Sequence, residues 1–149
     1  MKKFSELRVG DTFFSTCSIS DKELEEYLKF SRVRNAFLED KQKGEQLVSG
    51  RAILSRMEGE FTRLSQIYGN HMIFLGTDGD PEWGNRNTRF LKPFYTDQVL
   101  KLKFTVSQKD DMDDEFGKIG IDYEGTTQDG EIIVLSKRNI YRIKKDPPR

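Results

Sequence analysis

One cysteine, one histidine, no net charge and no long apolar run mark this chain of 149 residues. Cys17 alone cannot build a disulfide framework or a thiolate-rich metal site. His71 is the only side chain that titrates near neutrality without perturbation, and one imidazole with one thiol makes no His/Cys metal cluster. Lys and Arg total 25 and Asp and Glu total 25. A basic excess of the kind that holds a phosphate backbone is missing, so nucleic acid is not expected as a partner. No run of 18 apolar residues exists, so no membrane-spanning helix is expected. Met1 to Glu6 lacks the apolar centre of a secretory leader. The expectation is a soluble cytoplasmic domain covering residues 1–149, with no cofactor and no metal called for.

What is present is a strongly patterned chain. The stretch Thr12 to Ile19, rich in Phe, Thr and Ser, reads as a strand. Ser20-Asp21-Lys22-Glu23 matches a capping box, and Leu24, Tyr27 and Leu28 follow at helical spacing. From Ser31 to Ser49 the periodicity fails and a loop is expected. Gly50 to Tyr68 carries the strongest helical stripe: Ile53, Leu54, Met57, Phe61, Leu64, Ile67 and Tyr68. Ser49 is its expected cap and Gly69-Asn70 its expected stop. Gly50, Ala52, Ser55 and Gly59 are small enough to let a sheet come close. The remainder reads as strands. Leu100, Leu102, Phe104 and Val106 alternate with polar residues, as do Ile119, Ile121 and Tyr123. Lys109 to Glu115 reads as an acidic loop, Asp129-Gly130 as a hairpin turn, and Glu131 to Ile143 as a closing strand. Strands joined by short turns pair antiparallel, and only the Gly50–Tyr68 helix is long enough to cover their apolar face. The pattern thus predicts an α+β domain with a curved sheet around one long helix.

Four segments carry a resemblance. They are Phe4 to Asp11, Phe30 to Asp40, Ser49-Gly50-Arg51-Ala52-Ile53-Leu54-Ser55, and Phe90-Leu91-Lys92-Pro93-Phe94-Tyr95-Thr96-Asp97. In order and spacing the chain resembles the MaoC-like dehydratases and (R)-specific enoyl-CoA hydratases, a branch of the hot-dog superfamily. The resemblance implies the hot-dog fold, acyl-CoA or acyl-carrier thioester ligands, and pairing into a homodimer or with a paralogous hot-dog chain. It also implies hydration of 2-enoyl thioesters. That reaction needs a group to deprotonate water, a proton for C2, and a donor at the thioester carbonyl. Relatives supply an Asp and a His in a pattern like Asp-x-Asn-Pro-x-His-x-Asp. Here Asn35 falls on the Asn and Asp40 on the final Asp, while Ala36 replaces the Pro. Val33 stands at the catalytic Asp position and Leu38 at the catalytic His position. Neither aliphatic side chain moves a proton. Thr96 also replaces a family Gly.

The resemblance therefore implies a thioester-binding chain without its dyad, which fits a non-catalytic subunit of a heteromeric hydratase. Substrate contacts are expected from Asn35, Ser49, Gly50 and Arg51. Gly50 either opens a backbone N–H to the carbonyl or serves close packing alone. Two enzymatic alternatives stand beside this reading. Asp40 is a weak candidate for a displaced base, against its simpler use in a turn. Glu58 or Glu60 matches the acidic helix residue that hot-dog thioesterases use, against plain solvent exposure. Arg32, Arg34, Arg86 and Arg89 have the planar fork suited to phosphates, though surface solvation explains them as well. His71 is expected at the far end of the long helix, Cys17 as a small buried hydrophobe, and Trp83 as a cover for a sheet edge or a subunit contact.

Overall fold

A computed structural model describes residues 1–34 and 46–146. After a short 3-10 turn at Phe4–Glu6, β1 runs Thr12–Cys17 and α1 Asp21–Ser31. Helix α2 follows at Gly50–Arg63, then β2 (Met72–Thr77), β3 (Thr88–Phe90), β4 (Leu100–Asp111), β5 (Phe116–Thr126) and β6 (Ile132–Lys144). The strands form one antiparallel sheet in the order β1-β4-β5-β6-β2, and β3 pairs with another part of β6. This is the expected α+β arrangement, with α2 laid along the sheet.

Helix α1 begins where the capping box predicts. Ser20 Oγ accepts from Glu23 N–H, and Glu23 returns a carboxylate to Ser20 N–H, each at 3.1 Å. These bonds satisfy two N–H groups that the first turn leaves without partners. Helix α2 is capped by Ser49, whose Oγ accepts from Ala52 N–H at 3.3 Å. The apolar stripe of α2 buries Ala52, Ile53, Met57 and Phe61. Phe61 is the centre of the core: its ring lies 5.4 Å from Phe104, 5.3 Å from Tyr141 and 6.2 Å from Tyr123. Alternation on β4 puts Leu100, Leu102, Phe104 and Val106 inward. Each such side chain contributes about 1.5–3 kcal/mol when fully buried.

Three expectations need correction. The helix ends at Arg63 rather than Tyr68, because Leu64 takes an extended ψ of 139°. The chain then turns so that Leu64 and Ile67 still reach the core. The expected loop at Lys109–Glu115 is shorter than its bounds, because its first part is strand. β4 continues to Asp111, and Asp113 closes a tight hairpin by accepting from Glu115 and Phe116 N–H at 2.8 Å each. Gly59 serves no close approach, since a Cβ there would meet nothing within 4 Å.

β6 contains an irregularity with consequences. Ile121 pairs with Asn139 and Tyr123 with Ser136, so one residue of β5 faces two of β6. Arg138 takes up the extra residue at φ 55°. Its N–H donates to Asp122 Oδ1 and its guanidinium to the Gly79 carbonyl, both at 3.0 Å. Side chains three apart on a regular strand point to opposite faces. The bulge instead buries both Ser136 and Asn139, which are 1% and 5% exposed, and aims both at one cavity.

Candidate functional site

The first turn of α2 offers the feature that the chemistry of a thioester carbonyl requires. The N–H groups of Gly50 and Arg51 precede the first intrahelical bond and have no acceptor within the helix. They sit at its positive end, where a polarised oxygen is favoured. A cavity of about 380 Å³ opens beside them. Val33, Ser49, Gly50, Arg51, Phe90 and Lys92 are among its walls. The structure thus brings together four residues singled out in the sequence: Val33, Ser49, Gly50 and Arg51. Val33 is 42% exposed. Ser49 spends its hydroxyl on the helix cap. Asn35, Leu38 and Asp40 lie outside the described residues, as does Ala36.

Gly50 permits a close contact. A Cβ there would stand 2.5 Å from the Phe90 ring. The ring lies flush against the helix entry because no side chain is there, and a glycine permits that approach.

The floor of this cavity is tied down by Thr96. Its side chain is completely buried. The hydroxyl donates to Asp21 Oδ1 at 2.6 Å and accepts from Gln46 N–H at 3.1 Å. Backbone bonds from Val48 N–H to the Phe94 carbonyl and from Thr96 N–H to the Gln46 carbonyl, 2.9 Å each, lay residues 46–48 against 94–96. One hydroxyl therefore links the start of α1, the approach to α2 and the turn before β4. That Thr96 stands where the resemblance expects a Gly was visible in the sequence, but its linking role was not.

A second, larger cavity of about 530 Å³ shares Tyr27, Arg51 and Phe90 with the first. Glu58, Ser55, Thr88, Ser136 and Asn139 give it a polar lining. Asn139 Nδ2 donates to the Ile121 carbonyl, the Ser136 carbonyl and Ser136 Oγ at 3.1–3.2 Å. Ser136 Oγ lies 3.0 Å from Thr88 Oγ1. Tyr123, in the same wall, shares a hydrogen bond with Tyr141. Burial pushes both phenols well above their ordinary pKa, and the negative charge of Glu58 adds to the push. Both hydroxyls stay protonated at neutral pH.

The remaining candidates scatter. Glu60 is on another side of α2, 3.5 Å from Ser15 Oγ. His71 is exposed beyond the C-terminal end of α2, which lies about 20 Å along the helix from Gly50. Cys17 is partly buried on β1, and burial lifts its thiol to about 11. Trp83 lies under two cations, Arg89 at 4.3 Å and Lys137 at 4.2 Å, and so covers the β3–β6 edge. Arg86 and Arg89 are exposed. Arg32 adopts a left-handed conformation, φ 61°, as the C-cap of α1, and Arg34 is held by an interaction of its own. Among the described residues no helix is long and apolar enough to cross a membrane. No cluster of three His, Cys, Asp or Glu among them could hold a metal.

A curved antiparallel sheet around one central helix is the hot-dog architecture, and solved structures of that fold superpose on the chain. An (R)-hydratase from Pseudomonas aeruginosa does so with a TM-score of 0.67 at 20% identity, covering 99% of this chain and 86% of that one. A MaoC-like dehydratase from Rhodospirillum rubrum gives 0.68 at 14% identity, covering 98% and 99%. A hypothetical thioesterase from Streptococcus pneumoniae, solved with coenzyme A, gives 0.53 at 14% identity, covering 96% and 84%. No protein-family model and no curated protein matches the sequence. The chain has the hot-dog fold, and MaoC-like dehydratases and (R)-hydratases are its neighbours in structure.

Proposed function

We propose that this protein binds an acyl thioester, on coenzyme A or a carrier arm, beside the first turn of α2, and that alone it does not hydrate enoyl groups. One observation carries the reading. The cavity beside Gly50 has an aliphatic Val33 in its wall, where the family pattern calls for a carboxylate, and the chain's only histidine lies beyond the other end of α2. Binding needs only the helix N–H groups and Arg51 at the mouth. Hydration needs a group that takes a proton from water, and the only imidazole is out of reach.

This role suits the non-catalytic chain of a hydratase assembled from two hot-dog subunits. Among the described residues β2 pairs only with β6, which leaves its other edge open. Ile73, Phe74 and Leu75 on it are exposed. An apolar, unpaired edge invites another strand, and a copy of this chain or a paralogue completes it. The larger cavity opens toward the same strand through Phe74 and Thr77.

Titration with crotonyl-CoA and an assay of its hydration test the proposal. The expected result is binding without turnover by the chain alone. Hydration by the pure chain, lost in Asp40→Asn, would reinstate a displaced base. Hydrolysis is the second reading, favoured by the presence of Glu58 in a cavity wall. It predicts thiol release from acyl-CoA that disappears in Glu58→Gln and survives in Glu60→Gln.

A further inference from the structure

The larger cavity has a lining that a plain acyl chain does not call for. Four aromatic side chains, Tyr27, Phe74, Phe90 and Tyr123, surround it together with the carboxylate of Glu58. Glu58 is half-buried on α2. Among the described residues it enters no ion pair. Arg51, the cation in the same lining, stands seven residues earlier on the helix, about 10 Å away along its axis. An alkyl chain filling the cavity would strip water from an unpaired carboxylate and return nothing for it. A cation reverses that balance. The carboxylate supplies the opposite charge, and the electron-rich ring faces attract the same positive group.

We infer that the cavity between α2 and the β2–β3 edge receives a positively charged nitrogen at the end of the acyl group. The preferred ligands are then thioesters of amino-substituted acids. The inference rests on the acyl-thioester reading and adds the chemical class of the acyl part. Arg51 stands near the Gly50 end, where it favours the anionic carrier and repels an ammonium. The ligand is thereby oriented with its charged nitrogen toward Glu58. The Tyr123–Tyr141 pair keeps its protons, so neither phenolate adds a second negative charge.

The test uses two thioesters of matched size. Butyryl-CoA and β-alanyl-CoA differ only in a terminal methyl against an ammonium, and free CoA is the third probe. Isothermal titration of the whole chain is expected to show β-alanyl-CoA binding roughly tenfold or more tightly than butyryl-CoA. The advantage disappears in Glu58→Gln, while butyryl-CoA binds that variant no worse. In the unaltered chain, raising the salt narrows the gap, a readout that needs no variant to fold. Equal affinities in the unaltered chain, or the same preference in Glu58→Gln, overturn the inference and leave thioester binding standing. Failure of all three probes to bind removes the thioester reading and this inference with it.

Discussion

The two cavities that meet at Phe90 differ in the residues that line them. The one beside Gly50 sits where the family resemblance places chemistry, yet Val33 and Phe90 are in its wall. The one beside Glu58 was marked in the sequence by that carboxylate alone, yet its lining also includes two hydroxyls on neighbouring strands and a buried amide. Backbone geometry makes the first: helix N–H groups, a glycine and a ring against it. Side chains aimed by a strand bulge make the second. A helix entry of this kind places few demands on residue type, because backbone N–H groups are present whatever the side chains beside them.

The largest expected effect removes the centre of the core, which touches the Glu58 side through Tyr123. Phe61 packs under α2 against Phe104, Tyr123 and Tyr141. Phe61→Ala is expected to cost about 3–5 kcal/mol, read as a lower midpoint in urea. Asn139→Ala comes next and acts on the Glu58 side alone. It deletes the amide that holds the bulge and leaves the Ile121 carbonyl short of a donor. A loss of about 1–3 kcal/mol is expected, with β-alanyl-CoA binding impaired and binding of free CoA preserved. Thr96→Val is the mirror experiment. It removes the hydroxyl shared by Asp21 and Gln46, costs about 1–2 kcal/mol, and is expected to weaken free CoA before it alters the choice between the two thioesters. If Thr96→Val and Asn139→Ala weaken the same ligands equally, the division between the cavities fails.

The fold was legible because its signals are periodic and local. Alternation on Leu100 to Val106, the stripe from Ile53 to Phe61, and the hydroxyl caps at Ser20 and Ser49 each point to one answer. The start of α2 was legible for the same reason, since Ser49 is a capping residue before the stripe, whereas a ligand-facing role for Gly50 came only from the family resemblance. The second cavity was hidden by an assumption of regular pairing. Read with period two, Ser136 and Asn139 fall on opposite faces of β6. Only the left-handed Arg138 brings them together. The signal for it was Ser136-Lys137-Arg138-Asn139, a polar interruption between Ile133-Val134-Leu135 and Ile140-Tyr141. Glu58 was a candidate from the sequence, but its position alone did not distinguish it from Glu60. The sheet beside each residue separates them, and that is tertiary information.

A smaller effect sharpens the boundary itself. Phe90 forms part of both cavity walls, and its ring stands where a Gly50 side chain would go. Gly50→Ala forces the ring outward, and because Phe90 is 47% exposed it can swing into solvent. The stability cost is therefore expected to stay below about 1 kcal/mol, partly offset by the better helix propensity of alanine. The change in ligand choice is the larger consequence. In a double-mutant cycle, Phe90→Ala is expected to relieve the cost of Gly50→Ala. Additive behaviour would mean that the ring does not rest on the glycine.

The smallest effect lies at the join of α1 and α2, behind the Gly50 mouth. Glu23 accepts from Ser20 N–H and pairs with Arg56 of α2. The Ser20 bond and then Arg56 hold its carboxyl below the usual carboxylate range. A group whose folded pKa is depressed binds its proton more readily in the unfolded chain. Its contribution is therefore complete above the unfolded value of 4.5 and is lost as pH falls through the lower folded value. Glu23→Gln is expected to lower stability slightly at neutral pH and to make the acid limb of the melting curve shallower below about pH 4.5. The side chain is largely solvated, so screening keeps the difference small, and high salt is expected to erase the part due to Arg56 and leave the part due to the Ser20 cap. An acid limb of unchanged slope in Glu23→Gln would show that the pair does not help to hold α1 against α2.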